Sequence, residues 1–283
     1  MLNSQPLGFY TPSQLVQDAA RHGVAVLPVD VMHSDWDTQL AGDTQDQVRL
    51  GLRCIAGLQM RVAERLIEAR ATRPFISVED LAERAGLGAA QLALLSDADA
   101  MASLAGHRRQ QVWEAAAWQA GSPLLQDQQV DATDWQWAAP SASEAIMLDH
   151  AATGLSLKGH PVGMLRSTLR AERLLSAEEL KRLPDGRLAR ACGLVTVRQQ
   201  PATAKGVLFI TLEDETGCIN VVVWRDVKEK FKPEWLHAKL LIVYGVWQRD
   251  IETGGQVTHL VAKRMRDGTA WLDGLAHGSR DFH

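Results

Sequence analysis

Cysteine is scarce. Cys54, Cys192 and Cys218 are the three among 283 residues, odd in number and never spaced C-x-x-C. That argues against a disulfide framework or a thiolate zinc site and fits reduced thiols in a cytoplasmic protein. The nine histidines are dispersed, so no metal site is expected. No apolar run approaches the ~18 residues that cross a bilayer, and no charged-then-apolar leader opens the chain, so no membrane partner is expected. The sequences G-x-G-x-x-G, G-x-x-x-x-G-K-[ST], H-E-x-x-H and G-x-S-x-G are missing, and with them the common phosphate-cradling, metalloprotease and nucleophile-elbow chemistries. Nor do carboxylates cluster as two-metal nucleotidyl transfer requires. What is present is an ordinary globular composition, 46% apolar and 23% charged, in a chain long enough for two or more compact units.

The net charge of −4 is weakly unfavourable for a polyanion partner, but the charge is unevenly spread. Residues 1–47 hold one basic and six acidic side chains, and residues 48–109 nine basic against seven acidic. Residues 110–150 hold six acids and no Lys or Arg, whereas residues 187–267 hold thirteen basic and nine acidic. Local potential governs polyanion contact. Two basic regions therefore flank an acidic spacer that should repel phosphates.

A helix over residues 13–21 and a strand over 24–27 are too little to close a core alone. Two helix–turn–helix units are predicted next, at 46–70 with hinge "IAGL" (residues 55–58) and at 78–95 with hinge "AGLG" (residues 85–88). Ser77 is the expected N-cap of the second unit. In such hinges Gly57, Gly86 and Gly88 would allow positive φ and close approach of backbone N–H groups to a phosphate, with Leu58 and Arg61 as further candidate nucleic-acid-binding residues at the first. The plainer reading is that these glycines only end helices. Residues 119–142 read as a linker, in which "GSPLLQD" is weighed as a clamp-docking peptide against a merely solvated segment. Trp113, Trp118, Trp135 and Trp137 read as packing residues. Short helices are expected at 144–153 and 177–183.

From residue 188 the texture turns to strands, at 188–197, 207–213, 219–224, 240–247 and 257–263, with a helix at 227–238. That is the order of a five-stranded OB-fold, so the fold class is α+β: a helical N-terminal region with tandem helix-hairpin-helix units, then an OB barrel. In "TAKGVLFITLEDETGCINVVVW" the aliphatic sets 208/210/212 and 219/221/223 belong inside by period-2 alternation. Phe209, Asn220 and Trp224 then share the outer face, where rings can stack on unpaired bases. The flanking loops, residues 198–206 and 248–255, supply Arg198, Lys205 and Arg249 for phosphates. Two alternatives stay open: the aromatics pack on a neighbouring element, or a bulge at Gly217 turns Trp224 inward.

"LNSQPLGFYTPSQLVQDAARHGVAVLPVDVMHSDWD", "VRLGLRCIAGL", "TGLSLKGHP", "VRQQPATAKGVLFITLEDETGCINVVVW" and "SRDFH" occur in that order. Together they resemble the C-terminal part of a bacterial family C DNA polymerase, most closely the error-prone, damage-induced relative of the replicative polymerase III alpha subunit. The resemblance covers the whole chain. It implies that residues 1–40 end a fingers region, 41–118 are the tandem helix-hairpin-helix DNA-binding region, 119–186 connect, 187–267 are the OB domain and 268–283 a tail. It also implies translesion synthesis and DNA repair, with single-stranded and primer–template DNA, the upstream catalytic region, a sliding clamp and translesion accessory proteins as partners. No cofactor is expected in this chain, with Mg²⁺ used by the full polymerase. The family's catalytic aspartates and the clamp-loader-binding domain of replicative subunits match nothing here. The hairpin separately resembles the anticodon-binding barrel of class II aminoacyl-tRNA synthetases, where an aromatic and an amide match Phe209 and Asn220. A tRNA-binding module and a stand-alone single-strand-binding protein are thus the competing readings.

With no carboxylate constellation, the isolated chain is expected to lack nucleotidyl transferase activity. Primer extension with Mg²⁺ and four nucleotides should give no templated product, and any such product would contradict the reading.

Overall fold

The sequence supplies the first helix, α1 (Pro12–Arg21), with its own start. Thr11 Oγ1 accepts from the Gln14 N–H at 3.2 Å and Gln14 Oε1 accepts from the Thr11 N–H at 3.1 Å, with Pro12 opening the first turn. The computed structural model describes residues 1–5, 10–120, 137–201, 206–250 and 257–277. It divides the chain into two units, Met1–Lys158 and Gly159–His283.

In the first unit β1 (Ala25–Leu27) runs parallel to β3 (Gln47–Arg49), which pairs antiparallel with β2 (Gln39–Ala41). The helices α2 (Met60–Thr72), α3 (Val78–Ala85), α4 (Ala89–Asp97), α5 (Ala102–Ala105), α6 (Arg108–Ala120) and α7 (Ala142–Thr153) follow. The helix expected to begin at residue 46 is replaced by β3 and a single 3-10 turn, Leu52–Cys54. Val48 and Leu50 alternate with polar neighbours and Gly51 disfavours a helix, so the period there is two. One core runs from Val16 through Leu58, Leu66, Leu81 and Leu95 to Leu155. Residues 1–40 are therefore built into the helical unit, and the 119–186 connector is divided, α7 belonging to this first unit.

Arg108 is buried and binds Asp149 at 2.6 Å and the Ser96 carbonyl at 3.2 Å, tying α4, α6 and α7 together. Arg109 holds both Glu144 oxygens, at 3.1 and 2.8 Å, and Lys158 reaches Asp99 at 2.9 Å and Asp149 at 3.4 Å. Two of the six acids in 110–150 are thus neutralised by cations just outside that stretch. The expectation of a bare repelling spacer fails there, because tertiary pairing ignores sequence blocks.

The second unit opens with α8 (Pro161–Met164), α9 (Arg166–Ala171) and α10 (Ala177–Lys181). The strands β4 (Leu188–Gln199), β5 (Leu208–Asp214), β6 (Gly217–Val223), β7 (Leu240–Arg249) and β8 (Thr258–Asp267) close a barrel in the order β4-β5-β6-β8-β7, with β7 returning to β4. The β6–β8 pairing is parallel and the others antiparallel. The helix expected at 227–238 is two, α11 (Arg225–Lys230) and α12 (Lys232–His237), because Pro233 cannot continue the hydrogen-bond ladder. Helix α13 (Thr269–His277) follows the barrel. Ala177 and Leu180 of α10 join Leu212, Val221, Val243, Trp247 and Leu260 in the barrel core. Burial pushes the Cys192 thiol up to about 12, which keeps it protonated and unreactive. Among the described residues no helix is long and apolar enough to cross a membrane.

The β5–β6 turn is held by Asp214, which is fully buried. Its Oδ1 accepts from the Thr216 N–H and hydroxyl, both at 2.7 Å, and from the Gly217 N–H at 3.0 Å. Its Oδ2 accepts from the Ala177 N–H at 2.7 Å and from Arg166 at 3.3 Å. Arg166 also clamps Glu215, at 2.6 and 2.9 Å. Burial works against the Glu215 charge, yet the Arg166 contacts hold its carboxyl below the ordinary 4.5. A carboxyl depressed in the folded state stabilises above its ordinary value, and that contribution is lost as pH falls through the folded value. Arg166→Met should therefore cost about 3–5 kcal/mol at neutral pH, by leaving Asp214 buried without its cation. Denaturant titration should show the gap to wild type narrowing as pH falls below the ordinary carboxylate range and Glu215 protonates. A gap independent of pH would refute the ion-pair account.

Candidate nucleic-acid interface

Regular pairing from Leu208↔Val223 to Asp214↔Gly217 decides the faces of the hairpin. Leu208, Ile210, Leu212, Ile219, Val221 and Val223 are all buried in the barrel. Phe209 and Asn220 are exposed on the outside, with Phe209 opposite Val222 and Thr211 opposite Asn220. Phe209 is 40% and Trp224 56% exposed. There is no bulge at Gly217, so Trp224 is not turned inward. It stands one residue beyond β6, as the N-cap of α11. The three residues thus lie on the outside, and neither aromatic is buried against another described element.

The expected phosphate ligands are placed differently. The Arg198 guanidinium donates to the Trp235 carbonyl at 2.6 Å and to the Ala238 carbonyl, closing the end of α12, and burial lowers its pKa. Arg249 donates to the Leu183 carbonyl at 3.0 Å and to the Lys181 carbonyl, at the end of α10. Helix C-termini present unpaired carbonyls with partial negative charge, which attract cations as phosphate would. Both arginines are therefore engaged structurally. Lys205 and most of the two flanking loops lie outside the described residues, as do Trp135, the "GSPLLQD" segment and the terminal "SRDFH". Trp113 packs on Trp137, with ring centroids 5.6 Å apart, and Trp118 packs on the helical core.

A further aromatic escaped the sequence reading. Tyr244 of β7 lies between Arg190 of β4 and Arg264 of β8, whose guanidinium carbons stand 5.8 and 5.6 Å from its ring centroid. Alternation could have flagged each residue as outward. Only the cross-strand register brings the three together.

In the helical unit Gly57 has φ +81°, Leu58 is buried, and the Ala56 N–H donates to the Ala152 carbonyl at 2.8 Å. Helix α2 begins just beyond with no side-chain cap, and the exposed Arg61 in its first turn has no partner among the described residues. The second hinge is a true helix pair, α3 and α4, joined through Gly86 at φ +60° and the buried Leu87. Gly88 differs from expectation. Its φ is −94°, ordinary extended backbone, and its N–H donates to Gln91 Oε1 at 2.8 Å as α4 starts. Of the three glycines, only Gly57 and Gly86 use positive φ. Among the described residues no group of three His, Cys, Asp or Glu side chains could hold a metal ion.

Two family models match these units: a helix-hairpin-helix motif over residues 23–111 and an OB-fold nucleic acid binding domain over residues 189–267. An error-prone DNA polymerase of Alkalilimnicola ehrlichii is 47% identical over 285 residues, covering all of this chain and 27% of that protein. Those of Ralstonia nicotianae and an Azoarcus species are 47% and 49% identical over 291 and 295 residues, each again covering all of this chain and 27% of the relative. The chain is homologous to the C-terminal part of error-prone DNA polymerases. It spans about a quarter of the length of these polymerases. Likeness to solved structures is weak. Asparaginyl-tRNA synthetase from Pyrococcus horikoshii is 22% identical with a TM-score of 0.28, over 34% of this chain and 22% of that one. Aspartyl-tRNA synthetase from Entamoeba histolytica is 13% identical with a TM-score of 0.26, over 32% and 20%.

Within the helical unit the hinge geometry predicts unequal tolerance. Gly86→Ala forces a left-handed residue and should cost ~1–2 kcal/mol. Gly88→Ser, at an N-cap position in extended conformation, should stay within about 0.5 kcal/mol of wild type. Urea unfolding followed by circular dichroism distinguishes them, and equal losses would contradict the φ assignment.

Proposed function

We propose that this chain is a DNA-handling region for an error-prone polymerase whose catalytic carboxylates and Mg²⁺ lie in another part of the protein. The barrel holds single-stranded template, and the helical unit grips the primer–template duplex. The observation that carries the reading is the outward Phe209, Asn220 and Trp224 on a closed OB barrel, because exposed rings beside an amide suit unpaired bases. In the helical unit, the uncapped start of α2 beside Gly57 and the exposed Arg61, which has no partner among the described residues, suit a backbone phosphate. Translesion synthesis and repair, with a sliding clamp and accessory proteins as partners, belong to the same reading and rest on the relatives' name alone.

Since Arg198 and Arg249 already bind carbonyls, this face should act chiefly through stacking. Phe209→Ala should weaken single-stranded DNA binding by ~1–3 kcal/mol with little sequence preference. It should leave the log–log salt slope unchanged, since no phosphate contact is removed. Arg61→Ala should weaken duplex binding and spare single strands. Fluorescence anisotropy of both DNA forms across a salt series tests this, and a folded Phe209→Ala chain with wild-type affinity would overturn it.

A further inference from the structure

The stacking face leaves the barrel's free cations unexplained, and these gather elsewhere. On β4, β7 and β8 the register aligns outward residues in rows: Arg190, Tyr244 and Arg264 in one, Leu188 and Val246 in the next. The alternate residues, among them Ala189, Val243, Ala262 and Met265, face the barrel core. A register shift after Tyr244 leaves Lys263 as an extra, exposed residue of β8 beside Arg264. Leu188, at the edge of this surface, is 83% exposed.

Arg190, Lys263 and Arg264 have no carboxylate partner among the described residues, and the one acid of the three strands, Asp267 at the far end of β8, accepts from the Thr269 N–H and hydroxyl. Like charges gathered on one face repel, and an anion would relieve that repulsion. The Tyr244 ring holds both guanidiniums by cation–π attraction, so little side-chain entropy remains to be lost on binding. Neighbouring strands lie ~4.8 Å apart, which places Arg190 and Arg264, two strands apart, roughly 10 Å from each other at the backbone. A polyanion running across the strands meets both.

We propose that the outer face of β4, β7 and β8 is a second DNA site, with Arg190, Lys263 and Arg264 on the phosphodiester backbone and Tyr244 and Leu188 against sugar or base. The proposal rests on the reading of the barrel as a DNA-handling module, and it assigns the electrostatic part of binding to a face other than the stacking one. An acidic protein segment would meet the same cations, but it would leave the half-buried Tyr244 ring and the exposed Leu188 without the flat partners that a nucleotide offers.

The test uses the 283-residue chain and a labelled oligodeoxythymidylate about twenty nucleotides long, titrated between about 50 and 200 mM salt. Arg190→Ala/Arg264→Ala should reduce the magnitude of the log–log salt slope by ~1.4, at about 0.7 per lost contact on a single strand. Arg190→Lys/Arg264→Lys should keep the slope, which a purely structural role for the planar guanidinium would not allow. If the alanine pair keeps the wild-type slope while Phe209→Ala weakens binding, the second site is refuted and the stacking face stands. If wild type does not bind the oligonucleotide, the DNA reading of the barrel falls as a whole. If the alanine pair loses binding to poly-glutamate but not to DNA, the face serves an acidic protein and the proposal is overturned. Should the alanine pair fail to fold, Arg264→Gln alone carries the test, with half the change in slope.

Discussion

Asp214 is the carboxylate on which the barrel depends. It is fully buried, accepts three hydrogen bonds within its own turn and a fourth from the start of α10, and lies against Arg166. A charge so placed is tolerable only when its oxygens are this fully satisfied. The two-residue connection it fixes sets the β5–β6 register. A slip of one residue would carry every side chain of the hairpin to the opposite face. Phe209 and Asn220 point outward because Asp214 leaves no freedom at the turn.

Arginine occurs in two settings in this chain, and sequence position does not separate them. Arg108, Arg166, Arg198 and Arg249 each join separate elements through carboxylates or helix-end carbonyls. Arg61, Arg190 and Arg264 are exposed and hold no carboxylate among the described residues. The guanidinium fork suits both tasks, since a carbonyl at a helix end and a phosphate oxygen present the same acceptor chemistry. On the barrel the exposed rings stand on β5 and just beyond β6, and the exposed cations Arg190, Lys263 and Arg264 stand on β4 and β8.

The same pairing logic changes the meaning of the acidic stretch. Glu144 and Asp149 look like part of an uncompensated block in the linear chain. In the fold they meet Arg109, Arg108 and Lys158, and serve to hold α7 against α4 and α6. Charge counted along a chain overstates the field wherever helices bring opposite signs together.

By itself the sequence determined the local periods and the ordered motifs. Alternation in β5 and β6 was enough to place Phe209 outside and Leu208 inside, because period-2 burial is local in origin. The five strands and the interposed helical segment were legible for the same reason, as were the hinge glycines at 57 and 86 and the kinship with error-prone polymerases. Residues 47–49 were misread, because a three-residue strand is stable only through its partners Val26 and Leu40. Gly88 was misread because positive φ belongs to the backbone path, and Gly86 alone supplies it at that hinge. Only the tertiary structure decided which cations were already engaged. Arg198 meets the end of α12 some 40 residues away and Arg249 the end of α10 some 68 residues away. Arg190, Tyr244 and Arg264 become neighbours only through strand register. Contacts of that range depend on chain closure, and no local pattern encodes them.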